Sequence, residues 1–165
     1  KLFDYGSPSD MAPVDFDGQH LLVIDRSQSG TGPTVHLVHL DRGSQTHLDD
    51  LPQAQFLTAL RLWGPDCVAC VAGREVHIYD HGRRVLRRSL IGHGAEIVAV
   101  DARNAETIAT LGADGVIKLW RGSTGECTRT LRVPGANFFL AYPYCLCLQD
   151  QRIAMSSDEG VWMLD

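Results

Sequence analysis

The sequence predicts an all-β chain of short antiparallel strands, and three observations carry the prediction. Apolar residues come in short bursts separated by turn residues, with little helical periodicity. Glycine is abundant, 16 residues against 7 prolines, which suits many tight reversals. The same pattern also returns at a drifting period. Strand-like segments end at Asp4, Asp41, Asp80, Arg121 and Asp165, in steps of 37, 39, 41 and 44 residues. At 165 residues, 44% hydrophobic and 21% charged, the chain has room for one domain or one piece of a larger one, and it is too apolar to be a disordered tail.

The elements follow in order. KLFD closes one third strand at Asp4, and residues 5–10 read as an outer strand. HLLVID and TVHLVHLD make the first full unit, CVACVAG and VHIYD the second. The third unit is the clearest: residues 97–102 (IVAVDA), 107–111 (TIATL), 116–120 (VIKLW) and 127–131 (CTRTL) alternate as strands. The Gly112-Ala-Asp-Gly115 turn and a Gly122/Gly125 turn reverse the chain between them. RIAMSSDEGVWMLD forms the fourth. A period of this length matches the 40–45 residues of one four-stranded propeller blade.

The stretch IGHGAEIVAVDARNAETIATLGADGVIKLW, from Gly92-His93 to Trp120, resembles a WD-repeat unit. It has the family's Gly-His near the start, its turn Asp, and the Trp that ends the third strand, although the following Asp is replaced by Arg121. The other units end in Leu40-Asp41, Tyr79-Asp80 and Leu164-Asp165 and rest mainly on spacing. The resemblance implies an all-β propeller of four-stranded antiparallel blades, a single segment spanning 1–165 with repeats at about 5–41, 42–80, 81–121 and 122–165. Three ring architectures fit: a closed four-blade ring, two copies forming eight blades, and part of a larger ring, which is preferred. The chain opens at Lys1 without a signal pattern and reads as a processed or excised segment.

The resemblance also implies a hydrogen-bond chain in the third unit. The Trp120 indole donates to Thr110, the Thr110 hydroxyl contacts His93, and Asp114 holds His93. This set looks like a catalytic triad, but a hydroxyl engaged internally and without an oxyanion site reads as structure. The other histidines come as near pairs, His36 with His39 and His77 with His81. On strands these make no ligand set, so no metal is expected, and His36 and His77, in third strands, are expected to face solvent or a neighbouring blade. Cys67 and Cys70 form a CxxC, yet residues three apart on a strand point to opposite faces, so buried thiols and an intracellular setting, cytoplasmic or nuclear, are expected. No phosphate loop is present, and no cofactor is expected.

Arginine supplies 13 of the 15 basic residues. Arg83, Arg84, Arg87 and Arg88 are expected on an outer strand, where charge discourages sheet-to-sheet pairing or offers a docking strip. On the face where partners dock in the resembled family, Arg26, Arg74, Glu96, Arg132, Asn137 and Phe138 would rim the channel mouth. The expected function is a non-enzymatic interaction scaffold for a peptide or protein. Alternatives are the substrate-recognition propeller of a ubiquitin ligase reading an acidic or phosphorylated peptide and, further off, a propeller-borne enzyme. Self-association or a larger complex could complete the ring. The net charge of −5 argues against nucleic acid as a partner, and no apolar run reaches the roughly 20 residues of a membrane-spanning helix.

Overall fold

In the computed structural model, residues 11–25, 34–48, 51, 57–102, 106–133, 145–149, 152–157 and 160–164 are described. They form fifteen strands in four antiparallel sheets, and within each sheet the strands pair in sequence order. The first sheet holds β1 (Met11–Phe16), β2 (His20–Asp25), β3 (Thr34–His39) and β4 (Ser44–His47). The second holds β5 (Leu57–Trp63), β6 (Cys67–Ala72), β7 (Glu75–Asp80) and β8 (Val85–Ile91). The third holds β9 (Ile97–Asp101), β10 (Thr107–Gly112), β11 (Val116–Arg121) and β12 (Cys127–Arg132). Three strands, β13 (Leu146–Gln149), β14 (Arg152–Ser157) and β15 (Gly160–Leu164), make the fourth. The expected outer strand at 5–10 lies outside the described residues, as does the segment ending at Asp4. Among the described residues, no helix is long and apolar enough to cross a membrane.

Period-two alternation explains how the sheets stack. Strand β6 is buried along its whole length because both faces are covered. Val68 and Cys70 pack with Leu22, Leu37 and Leu60 between the first two sheets. Cys67, Ala69 and Val71 point the other way, toward Ile97, Ile108 and Trp120 of the third sheet. The CxxC thiols therefore sit in different cores, both free and buried. Burial pushes the Cys70 thiol far above its ordinary range, so this thiol is inert rather than a ligand. Ala109, Leu111 and Ile117 meet Leu146, Ile153 and Met155 in the third core.

Polar ties reinforce these layers. Asp15 Oδ2 accepts the Leu62 amide at 2.9 Å, and Asp101 Oδ2 accepts the Leu148 amide at 2.7 Å. Each joins the first strand of one sheet to the first strand of the next. Between the second and third sheets, the Ile97 amide donates to the Gly73 carbonyl at 2.7 Å and Thr58 Oγ1 to the Ile97 carbonyl at 3.4 Å.

Two sequence expectations need correction. Arg83 and Arg84 are not in an outer strand but in the β7–β8 turn, where Arg84 adopts φ 57°. Gly112 is not required by a left-handed backbone; Gly115, at φ 74°, makes the reversal. A Cβ on Gly112 would lie 2.6 Å from Asp114 Oδ1 and 2.9 Å from His93 Nδ1, so glycine is there for space.

Candidate functional site

Strand β10 points Thr110 into the core that separates the second and third sheets, beside Trp120 of β11 and under the segment that carries His93. Trp120 Nε1 donates to Thr110 Oγ1 at 2.8 Å, and His93 Nε2 lies 2.7 Å from the same oxygen. Thr110 Oγ1 also approaches the Lys118 carbonyl at 3.3 Å. The shorter contact assigns the hydroxyl proton to Nε2 of a neutral ring. Asp114 does not close the chain. Its Oδ1 accepts the Val116 amide at 3.2 Å, and buried His93 Nδ1 makes no hydrogen bond. Thr110 is 0% exposed, so no substrate reaches this hydroxyl.

Burial, helped by the Lys118 charge and opposed by Asp114, pushes His93 down to about 4 from an ordinary 6.5. The unfolded chain therefore binds the proton between those two values while the fold refuses it. Stability should be full above pH 6.5 and fall as pH drops toward 4, by at most about 1.4 kcal/mol per pH unit from this group. Urea midpoints between pH 7.5 and 4.5 will show the slope, and His93→Gln should flatten it.

The turns divide between the two ends of the sheets. One end carries Arg74 in the β6–β7 turn, Glu96 just before β9, and Arg132 at the end of β12, all exposed. The Gly73–Ile97 backbone bond and the Ala113 amide donating to the Glu96 carbonyl at 2.8 Å place Arg74 and Glu96 on adjoining segments. Arg132 pairs with Val116 at the outer edge, further from the first strands. Arg26, Asn137 and Phe138 lie outside the described residues.

The opposite end carries the other arginines. Buried Asp80 takes Arg87 Nε at 2.9 Å and Nη2 at 2.5 Å on one oxygen, and the Arg83 amide at 2.8 Å on the other. The Arg83 amide and the Arg87 guanidinium hold the Asp80 carboxyl below its usual range. Arg87 is therefore committed to the fold, while the Arg83 side chain, 3.5 Å from the same Asp80 oxygen, stays 75% exposed. Arg88 is half-buried. His36 and His77 do not face solvent: His36 stacks edge-on against His47 with centroids 4.5 Å apart, and His77 Nδ1 lies 2.8 Å from Ser89 Oγ. Among the described residues, no three His, Cys, Asp or Glu side chains converge to hold a metal ion.

Four stacked meanders with inner first strands have solved counterparts. A chain of the mitotic checkpoint complex superposes with a TM-score of 0.69 at 15% identity, covering 98% of this chain and 52% of that one. The designed Ika8 protein gives 0.66 at 21%, over 93% and 46%. The designed Ika4 protein gives 0.66 at 22%, over 96% and 92%. This chain folds as β-propeller blades. It spans about half the length of the first two solved chains. No protein-family model and no curated protein matches its sequence.

The blade residues that sequence reasoning missed are Asp15 and Asp101, which tie each blade to the next. The available signal was a Val-Asp pair at or next to the end of the first strand of units one and three, Val14-Asp15 and Val100-Asp101.

Proposed function

We propose that this propeller is a non-enzymatic platform of the WD-repeat type that binds a peptide or protein on the face carrying Arg74, Glu96 and Arg132. The observation that carries the reading is their placement. All three are exposed on turns or strand ends at one end of rigid, buried strands, the arrangement in which loops can vary without disturbing a core. A similar fold in a chain of a multiprotein assembly agrees with it. The burial of Thr110 supports the non-enzymatic part.

Arginine favours an acidic or phosphorylated partner, because its fork matches carboxylate and phosphate bidentately. Such a partner would suit the substrate-recognition subunit of a ubiquitin ligase. An array of acidic and phosphoserine peptides, read by fluorescence anisotropy, tests the face. Arg74→Glu with Arg132→Glu should weaken binding at least fivefold at low salt, with the difference shrinking at high salt. Stability should change by less than about 0.5 kcal/mol. Arg83→Glu with Arg88→Glu, in the β7–β8 turn and midway along β8, is the control away from this face. Binding lost only in the control would move the site there, and binding untouched by both pairs would refute an electrostatic face.

A further inference from the structure

Three histidines from two blades meet at the end of the propeller opposite Arg74. His20 begins β2, His39 ends β3 directly across from it, and His81 follows β7 of the next blade. The His20 and His39 rings stand edge to face with centroids 5.1 Å apart, and His81 lies 6.2 Å from His20.

Few groups answer their charge. Asp17 Oδ2 lies 3.0 Å from His20 Nδ1, while Oδ1 accepts the Gln19 and His20 amides at 2.8 and 2.7 Å. Although burial opposes it, these bonds keep the Asp17 carboxyl below its usual value. His39 Nε2 is 3.2 Å from Thr46 Oγ1, and its other charged neighbours are Arg42 and Asp41, which pair with each other at 3.4 Å. His81 faces Asp66, the Pro65 carbonyl, His20 and His39. Asp15, on the adjoining strand, accepts the Leu62 amide through Oδ2 and the Phe16 amide through Oδ1. Thus Asp17 sits directly on His20, whereas a second imidazolium would lie 5.1 or 6.2 Å from the first, at His39 beside Arg42 and Asp41 or at His81 near Asp66. Burial, then His20, push both His39 and His81 below the ordinary histidine value.

The geometry points to a proton-operated catch between the first two blades. With the three rings neutral, or one charged against Asp17, the turns around residues 17–20 and 40–43 sit against those at 64–66 and 81–84. Mild acid adds a second proton, the rings repel, and this end of the junction loosens. A groove of about 520 Å³ spans the same junction, lined by Phe16, Asp17, His20, Leu62 and Pro65, and it would widen on loosening. Mild acid would then loosen this blade junction more than the others.

Two backbone bonds report on the catch. The Leu40 amide donates to the Gln19 carbonyl, and the His81 amide to the Asp66 carbonyl, both at 2.9 Å; the Val133 amide, bonded to Gly115 in the third blade, is the reference. Amide exchange of the whole chain at pH 7.5 and 5.5, corrected for intrinsic rates, should show Leu40 and His81 losing at least tenfold more protection than Val133. His39→Gln with His81→Gln should abolish that difference. Equal loss at all three amides, no loss, or a pH response that survives the double substitution would overturn the proposal. If the double variant does not fold, the unaltered chain still decides by ring NMR. His39 and His81 titrating below the ordinary value in coupled steps supports the catch, and two independent titrations at that value overturn it.

Discussion

Trp120→Phe should lower the unfolding free energy by about 1–3 kcal/mol, because it leaves the fully buried Thr110 hydroxyl without its indole donor and changes the packing. Thr110→Val should cost a similar amount by stranding both Trp120 Nε1 and His93 Nε2. The double variant is the sharper measurement. If the three side chains act as one network, the two costs in urea unfolding will fall short of adding by 0.5 kcal/mol or more, an interaction energy on the order expected for residues in contact. Full additivity would mean that Trp120 stabilises the blade by bulk alone.

Asp101→Ala should cost about 2–3 kcal/mol, because it removes a buried acceptor, only 2% exposed, and orphans the Leu148 amide. Asp101→Asn keeps the shape and one acceptor oxygen, so it should cost clearly less. Urea unfolding of both variants separates a hydrogen-bonded tie from simple packing: equal losses would show that the bond to Leu148 contributes nothing.

The third blade was legible in the sequence because its signals are local. Alternation gave β9 to β12, and turn residues gave their ends to within a residue or so. The network was legible only through likeness to a known repeat, and even then Asp114 turned toward its own turn rather than to His93. What spacing could not reveal is contact between blades. His36 and His39 look like a pair in sequence, but on a strand they face opposite ways, and His39 finds its neighbours in His20 and, through it, His81. The Arg83–Arg88 segment misled for a related reason. A buried carboxylate one strand away, Asp80, claims Arg87, and no run of charges announces that.

The Asp15–Leu62 and Asp101–Leu148 ties each join residues 47 apart, and Thr58–Ile97 joins residues 39 apart. Each loop that must close is therefore of similar length, and closure entropy depends only weakly on such differences. No blade has to wait for a distant one. Assembly can start at whichever blade forms first and spread by adding its neighbour, as in a one-dimensional chain of coupled units. A defect in one blade should then weaken its two junctions and fade beyond them.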